Sequence, residues 1–512
     1  MRRLSALFLS LVLAASCFAG CSREKEPYIP TGDALSQEEA TRPTGSQVTN
    51  RSLSLPYFPD RSLNPYESGD YTNQGIFSLV YQGLFTVDRE YNVFPVLCET
   101  YQASWDMKTY TFRLAQASFS DGTPLTAADV VASLKAAMKS PVYRGRFRYV
   151  KSVSGEEDGV VVTLETPYEN FPLLLDIPIV KQSEVSAKRP LGTGAYFYEE
   201  REEEVALRRR SDWWCKAELA VDAQRILLFT GENPAQLRDA FEFSDLSLVT
   251  ADPGSESYVD FHSDYELWDS ESGIFVYLGC NRHTGVMSNQ SIRAALTYGV
   301  NRENLMVDCY RDFAYAAVLP ASPQSPYYSN SLADDYDYAP EKLTKAVTDA
   351  GLQGAAVVLL VNAADNVRLR AARSIARSLT QCGLNVTTSE LTGDNYRKAL
   401  EEGSVDLYLG QTTLSANMDL SAFFEKDGAL GYGGMTDPVL HALCQEALAN
   451  SGNYYTLHQR LAEDGRLCPI GFRSYAVFTQ RGEFSGLSPS RDHLFFYHLG
   501  RTMEDALITE EA

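Results

Sequence analysis

Beyond about residue 50 the chain alternates between stretches in which every second residue is apolar and stretches in which apolar residues recur every three or four. Tyr110-Thr111-Phe112-Arg113-Leu114 has the period of a half-buried strand. Ser120-Asp121-Gly122 is turn chemistry, and Thr126 stands where an N-cap belongs, before a helix to about Lys139 with Val130, Leu134, Ala137 and Met138 on its apolar face. A second helix is predicted over about 289–300, with Ile292, Ala295, Leu296 and Gly299 on one side; a third starts at Pro340 and stops at Gly351. From there the pattern is stricter: Ala356 to Val361 reads as a buried strand, Asp365 to Gln381 as a helix closed by Cys382-Gly383, Asn385 to Glu390 as a strand, Asn395 to Glu402 as a helix and Val405 to Gly410 as a strand. This β-α-β-α-β order predicts an α/β fold with a mostly parallel, helix-covered sheet, in which ligands sit beyond the carboxyl ends of strands. The loop after Gly410 is the place to look.

The first fifty residues follow a different rule. Arg2 and Arg3 precede an apolar run from Leu4 to Ala15, then Ser16-Cys17-Phe18-Ala19-Gly20 leads to Cys21. This is the layout of a secretory signal over 1–20, with small residues before a cysteine that a lipoprotein-processing peptidase would expose for acylation. Ala14-Ala15-Ser16-Cys17 offers an alternative cut, and Phe18 stands where such signals usually carry leucine. Residues 22–50 are polar and rich in Pro, Gly, Thr, Ser and Glu without periodicity, so 21–50 reads as a flexible tether with a root-mean-square reach of about 30 Å. The expected location is extracytoplasmic, anchored to the cell membrane through lipid on Cys21.

Composition narrows the classes further. A chain of 512 residues exceeds what one core usually organises, so two or three lobes are expected. The formal net charge of -22 argues against nucleic acid as a partner, because phosphate binding rests on clustered Lys and Arg. The acidic block Glu199-Glu200-Arg201-Glu202-Glu203-Glu204 reads as a solvated strand or loop edge. Thirty tyrosines supply amphipathic surface suited to a wet cleft. Of nine cysteines, seven remain beyond Cys21, none in a C-x-x-C spacing, and they read as buried small hydrophobes.

Phe119-Ser120-Asp121-Gly122-Thr123-Pro124-Leu125-Thr126-Ala127-Ala128-Asp129-Val130-Val131-Ala132-Ser133-Leu134 resembles the signature of the peptide, dipeptide and nickel-binding class (family 5) of ABC-importer solute-binding proteins. Further landmarks fall in that family's order: Ser62-Leu63-Asn64-Pro65, Tyr81-Gln82-Gly83-Leu84, Gly192-Thr193-Gly194-Ala195-Tyr196, Ser211-Asp212-Trp213-Trp214, Asn281, Ser291 to Leu296, Asn301-Arg302-Glu303 and Gly486-Leu487. The resemblance implies a two-lobed, periplasmic-binding-protein-like fold of the class II type with an extra insert in the first lobe. Lobe I would comprise 51–75, 190–272 and 470–505, the insert 76–189, and lobe II 273–469, with crossings near Ser272 and Pro469 forming the hinge.

The resemblance also implies a site. It places Gly69, Asp70 and Tyr71 on the first-lobe wall, Tyr277 and Asn281 on the hinge side, and Gln411, Thr413, Asn417 and Asp419 in the loop after Gly410. That loop departs from the family: Thr413 stands near its tryptophan and Ala416 near the aspartate that receives a peptide's ammonium group, leaving Asp419 as the loop's carboxylate. Asp419 reads equally as an N-cap for Ala422-Phe423-Phe424 and as a ligand group. The implied function is capture of a peptide or peptide-like solute and its delivery to ABC permease subunits with cytoplasmic ATPases, by a monomer without a cofactor; a nickel chelate is a further ligand possibility. The alternative is a receptor lipoprotein of the same fold that signals instead of feeding transport. No G-x-S-x-G, H-E-x-x-H or Walker loop occurs, and the histidines are scattered, so neither a catalytic nor a metal site is expected.

Overall fold

The computed structural model describes residues 53–508, apart from 68, 158, 202–203, 216, 254–260 and 284. The signal, Cys21 and the tether lie outside the described residues.

Two long strands, Tyr265–Cys280 and Leu467–Gln480, run side by side and antiparallel through the middle of the molecule. At one end Leu467–Gln480 pairs with Leu248–Ala251; at the other, Tyr265–Cys280 pairs with Leu407–Thr413, which continues into the parallel strands Ala356–Asn362 and Asn385–Leu391. The result is one seven-stranded mixed sheet shared by two lobes. The predicted parallel core is present, but antiparallel pairing to Ile274–Cys280 extends its last strand through Gln411, Thr412 and Thr413. The expected loop after Gly410 therefore starts only at Leu414, a correction that comes from a partner distant in sequence.

Strand alternation builds two cores from this one sheet. Val276, Leu278 and Cys280, Val357, Leu359 and Val361, and Leu407 and Leu409 face one way, against helices Arg302–Tyr310, Pro340–Asp349 and Asn366–Gln381. Phe275, Tyr277, Leu360 and Tyr408 face the other way, against Gly393–Glu402, Ser421–Phe424, Pro438–Ala449 and Tyr454–Asp464. Each such side chain, fully buried, contributes about 1.5–3 kcal/mol. At the two predicted helix starts the first residue proves to be the cap: Asp365 accepts from Arg368 N, and Asn289 from Ser291 N.

In the other lobe, Leu53–Tyr57 lies parallel to Arg225–Thr230, followed by antiparallel Glu204–Arg209 and Tyr196–Arg201. The acidic block lies on this edge, where Glu199 is paired with Arg201, Arg208 and Arg225. Between the first and second of these strands in sequence comes a four-stranded antiparallel sheet, Cys98–Ala103, Thr109–Leu114, Gly159–Leu164 and Val150–Gly155, with helix Ala127–Ala137 packed on it. Thr126 and Asp129 form a reciprocal capping box at that helix, so the family-like stretch is the helix entry itself. Trp213 and Trp214 donate their indole N–H groups to Thr193 O and Gln82 Oε1. All seven cysteines among the described residues are free and buried. Among these residues no helix is long and apolar enough to cross a membrane.

His458 is fully buried in helix Tyr454–Asp464, with neither ring nitrogen hydrogen-bonded. Burial pushes its pKa down from 6.5 to about 3. The unfolded chain thus takes up a proton that the native state refuses, so this contribution is complete above pH 6.5 and is lost as pH falls towards 3. Replacement by Phe should flatten the loss of stability between pH 6.5 and 4, as measured by urea unfolding across that range.

Candidate functional site

The wall that carries Gly69, Asp70 and Tyr71 is organised by a buried asparagine. Asn73 exchanges hydrogen bonds with the backbone of Phe58, accepting from its N–H at 2.9 Å and donating to its carbonyl at 3.0 Å, and donates to Arg61 O. Asp70 caps the short helix Tyr71–Gln74 and forms an ion pair with Arg61, whose guanidinium lies 4.2 Å above the Phe58 ring. Tyr71 stacks on Tyr475 of the second long strand, with ring centroids 3.9 Å apart and planes at 19°. Burial pushes the Tyr71 hydroxyl well above its ordinary range, keeping it a neutral donor. These groups open onto a cavity of about 210 Å³, lined also by Thr72, Leu237, Asp252 and Phe261.

Beside Tyr475 in sequence, Arg473 collects groups from both lobes. Its Nη2 donates to both carboxylate oxygens of Asp252 at 2.7 and 2.8 Å, and its Nη1 donates to Gln411 Oε1 at 3.3 Å and lies 3.9 Å from Asp365. Gln411 and Asp365 sit at or just past the carboxyl ends of the parallel strands Leu407–Thr413 and Ala356–Asn362, where an α/β sheet presents ligand-facing groups. Arg368 holds Asp365 through Nε at 2.9 Å. The cavity thus has an aromatic wall and the Asp70–Arg61 pair, and its Asp252 is held by Arg473, which links it to Gln411 and Asp365. It can stack flat groups and exchange charge-assisted hydrogen bonds with a polar ligand.

The structure divides the expected site residues into three places. Asp70 and Tyr71 line the cavity and Gln411 reaches its Asp252 through Arg473; Gly69 is exposed and outside the lining, near Val142, and Thr413 is exposed at the end of its strand. Asn417 and Asp419 lie instead on the seam between lobe II and the insert. There the Asn417 amide donates to the Tyr168 hydroxyl, Asp419 accepts from Ser421 N at 2.8 Å, and Arg148 Nη1 is 3.9 Å from its carboxylate. Asp419 precedes Leu420, the N-cap of Ser421–Phe424, and its carboxylate closes a short turn onto the first residue of that helix.

Tyr277 and Asn281 correct the expectation of a hinge-side wall, because both are interior. Tyr277 is 2% exposed, edge-on to Phe423, and lies so close over Gly410 that a Cβ there would come within 2.5 Å of its ring. Asn281 donates to Gly403 O at 2.7 Å and Val405 O at 3.1 Å and accepts from His283 N. Asp252, Asp365, Arg473 and Tyr475 were missed by the sequence reading. Their signal is an arginine inside the otherwise apolar run Leu467 to Val477, since a buried guanidinium demands partners.

Two long strands run continuously through the molecule, and a polar and aromatic cavity opens beside the second of them at Tyr475. The chain belongs to the bacterial extracellular solute-binding proteins, family 5, whose model matches residues 92–429. It is similar to the glutathione-binding protein GsiB of Salmonella paratyphi A, at 27% identity over 317 residues, covering 57% of this chain and 59% of that protein's length. In fold it is similar to a putative peptide binding protein, AppA, from Clostridium difficile (TM-score 0.71, 19% identity, 87% of this chain and 98% of the other). The ABC transporter substrate binding protein CtaP from Listeria monocytogenes is also similar (TM-score 0.72, 19% identity, 90% and 100%).

Truncating Asn281 to Ala should leave the Gly403 and Val405 carbonyls without these partners and lower stability by about 2 kcal/mol, with ligand affinity unchanged. Urea unfolding together with calorimetric titration checks both halves.

Proposed function

We propose that this chain is the substrate-binding lipoprotein of an ABC importer, which captures a peptide or peptide-like solute between its lobes and delivers it to a membrane permease, without catalysing a reaction on it. The observation that carries the reading is the stacked Tyr71–Tyr475 pair at a cavity that also holds Asp70–Arg61 and Asp252, the last joined through Arg473 to Gln411 and Asp365. Peptides present planar amides and separated charges, and this combination of an aromatic shelf with paired charges matches both. Membership of a solute-binding family supports the same reading, as does similarity to a protein named for binding glutathione, itself a tripeptide. Asp419, held by Ser421 N and Arg148, is poorly placed to receive a free ammonium group, so a peptide with a blocked amino end fits this loop better than one with a free amine.

Native mass spectrometry of the purified protein, followed by calorimetric titration with short peptides and glutathione, tests this. Binding of at least one such solute is expected; a co-purified sugar or lipid, with no peptide bound, would overturn it. In a binding-competent protein, Tyr71→Ala should weaken affinity about tenfold or more, with a thermal midpoint close to that of the parent.

The lipid anchor on Cys21 belongs to the same proposal. Cys21→Ser should move the protein from the membrane fraction to the medium or periplasm on cell fractionation; retention in the membrane would exclude Cys21 as the sole anchor.

A further inference from the structure

Within the insert, residues 88–92 turn between strands Phe85–Val87 and Val93–Pro95. Asp88 folds the turn by accepting from Glu90 N at 3.0 Å and Asn92 N at 2.8 Å, and Tyr91 sits in the left-handed region at φ 66°. The turn thrusts Arg89 and Tyr91 against the first long strand. Tyr91 OH donates to Glu271 Oε1 at 2.6 Å, and Arg89 Nη2 donates to Asp269 Oδ1 at 3.2 Å. The second oxygen of each carboxylate is taken from the opposite side: Ser322 Oγ donates to Glu271 Oε2 at 2.9 Å, and the Tyr315 hydroxyl donates to Asp269 Oδ2.

The arrangement is duplicated. Two carboxylates, two residues apart on one strand, are each bridged between a donor from the insert and a donor from segment 314–322. That segment pairs through Ala314–Ala316 with Gly471–Arg473, of which Phe472 and Gly471 face Phe275 and Val276 beyond the register break in the first long strand, whereas Asp269 and Glu271 pair with Ala476 and Ser474 before it. Between the two carboxylates and lobe II lie the register break from Glu271 to Phe275 and Gly273, at φ 67°. Opening at this break would draw Tyr315 and Ser322 away from Asp269 and Glu271, and would also part the Tyr168–Asn417 and Arg148–Asp419 contacts of the insert.

We propose that the 88–92 turn and segment 314–322 form a latch that holds the lobes closed, with Arg89 and Tyr91 as positioning residues that aim the Asp269 and Glu271 carboxylates at Tyr315 and Ser322. This rests on the reading of the molecule as two lobes that close on a solute, and gives the insert a part in that closure. None of the four donors lines the Tyr71 cavity. The latch therefore sets how long the closed state lasts and leaves the identity of the ligand to the cavity.

The test uses the whole protein bearing Tyr315→Phe and Ser322→Ala, which removes only the lobe II donors. Without added solute, small-angle scattering should show a larger radius of gyration, and hydrogen exchange over 314–322 should quicken about tenfold or more, beyond what the accompanying fall in thermal midpoint, from two carboxylates each losing a donor, accounts for. Tyr91→Phe should shift exchange in the same direction and combine non-additively with Ser322→Ala, because both act on Glu271. Unchanged scattering and exchange, or a lowered midpoint without opening, would overturn the latch. Since these readouts need no ligand, a variant that opens while the parent binds no peptide would sustain the latch and sink the peptide reading instead.

Discussion

Continuous pairing between Tyr265–Cys280 and Leu467–Gln480 is the constraint on which the rest depends. A strand pair that crosses from one lobe to the other fixes their relative register while leaving a bend where the ladder is interrupted, between Glu271 and Phe275. Gly273 occupies that interruption with a left-handed backbone, and the Arg491 guanidinium lies against it so closely that a Cβ would meet it at 2.7 Å. Arg491 also donates to Leu414 O across the bend. The interruption is thus packed by specific side chains and is not a slack linker.

Along the same strands the chemistry is ordered by lobe. Asp269 and Glu271 face the insert, Arg473 gathers Asp252, Gln411 and Asp365, and Tyr475 provides half of the aromatic shelf. Charges near a moving joint are costly unless paired in the closed state, and here each has a partner contributed from outside its own strand. The proposed closure and the proposed recognition would therefore draw on neighbouring residues of one structural element.

The elements that periodicity made legible are those with uniform surroundings. Ala356–Asn362 has helices on both faces and reads as a continuous apolar strand, and Thr126, Asn289 and Asp365 cap the helices they announce. What could not be read locally is pairing at a distance: Gln411-Thr412-Thr413 has a polar, loop-like composition and is strand only because Ile274, Phe275 and Val276 lie beside it. The two long strands were hidden for a related reason, since each changes environment midway and shows no single period. Of the site, Asp70 and Tyr71 came from family likeness, whereas Arg473 and its partners emerge from where the strands cross. Tyr277 and Asn281 have the right residue types but point into lobe II, a distinction set by strand parity and by the carbonyls of Gly403 and Val405.

The buried thiols carry a separate consequence for the life of the molecule. Burial pushes Cys98 up to about 12 and Cys215 to about 11, and raises the other five as well. At neutral pH a thiol of pKa 12 is ionised in roughly one molecule in 10⁵, and thiolate is the species that attacks a disulfide. Once folded, such a chain is nearly inert to oxidase traffic outside the cytoplasm despite its odd number of sulfhydryls. Its vulnerable interval is the one before folding, when scrambling competes with collapse.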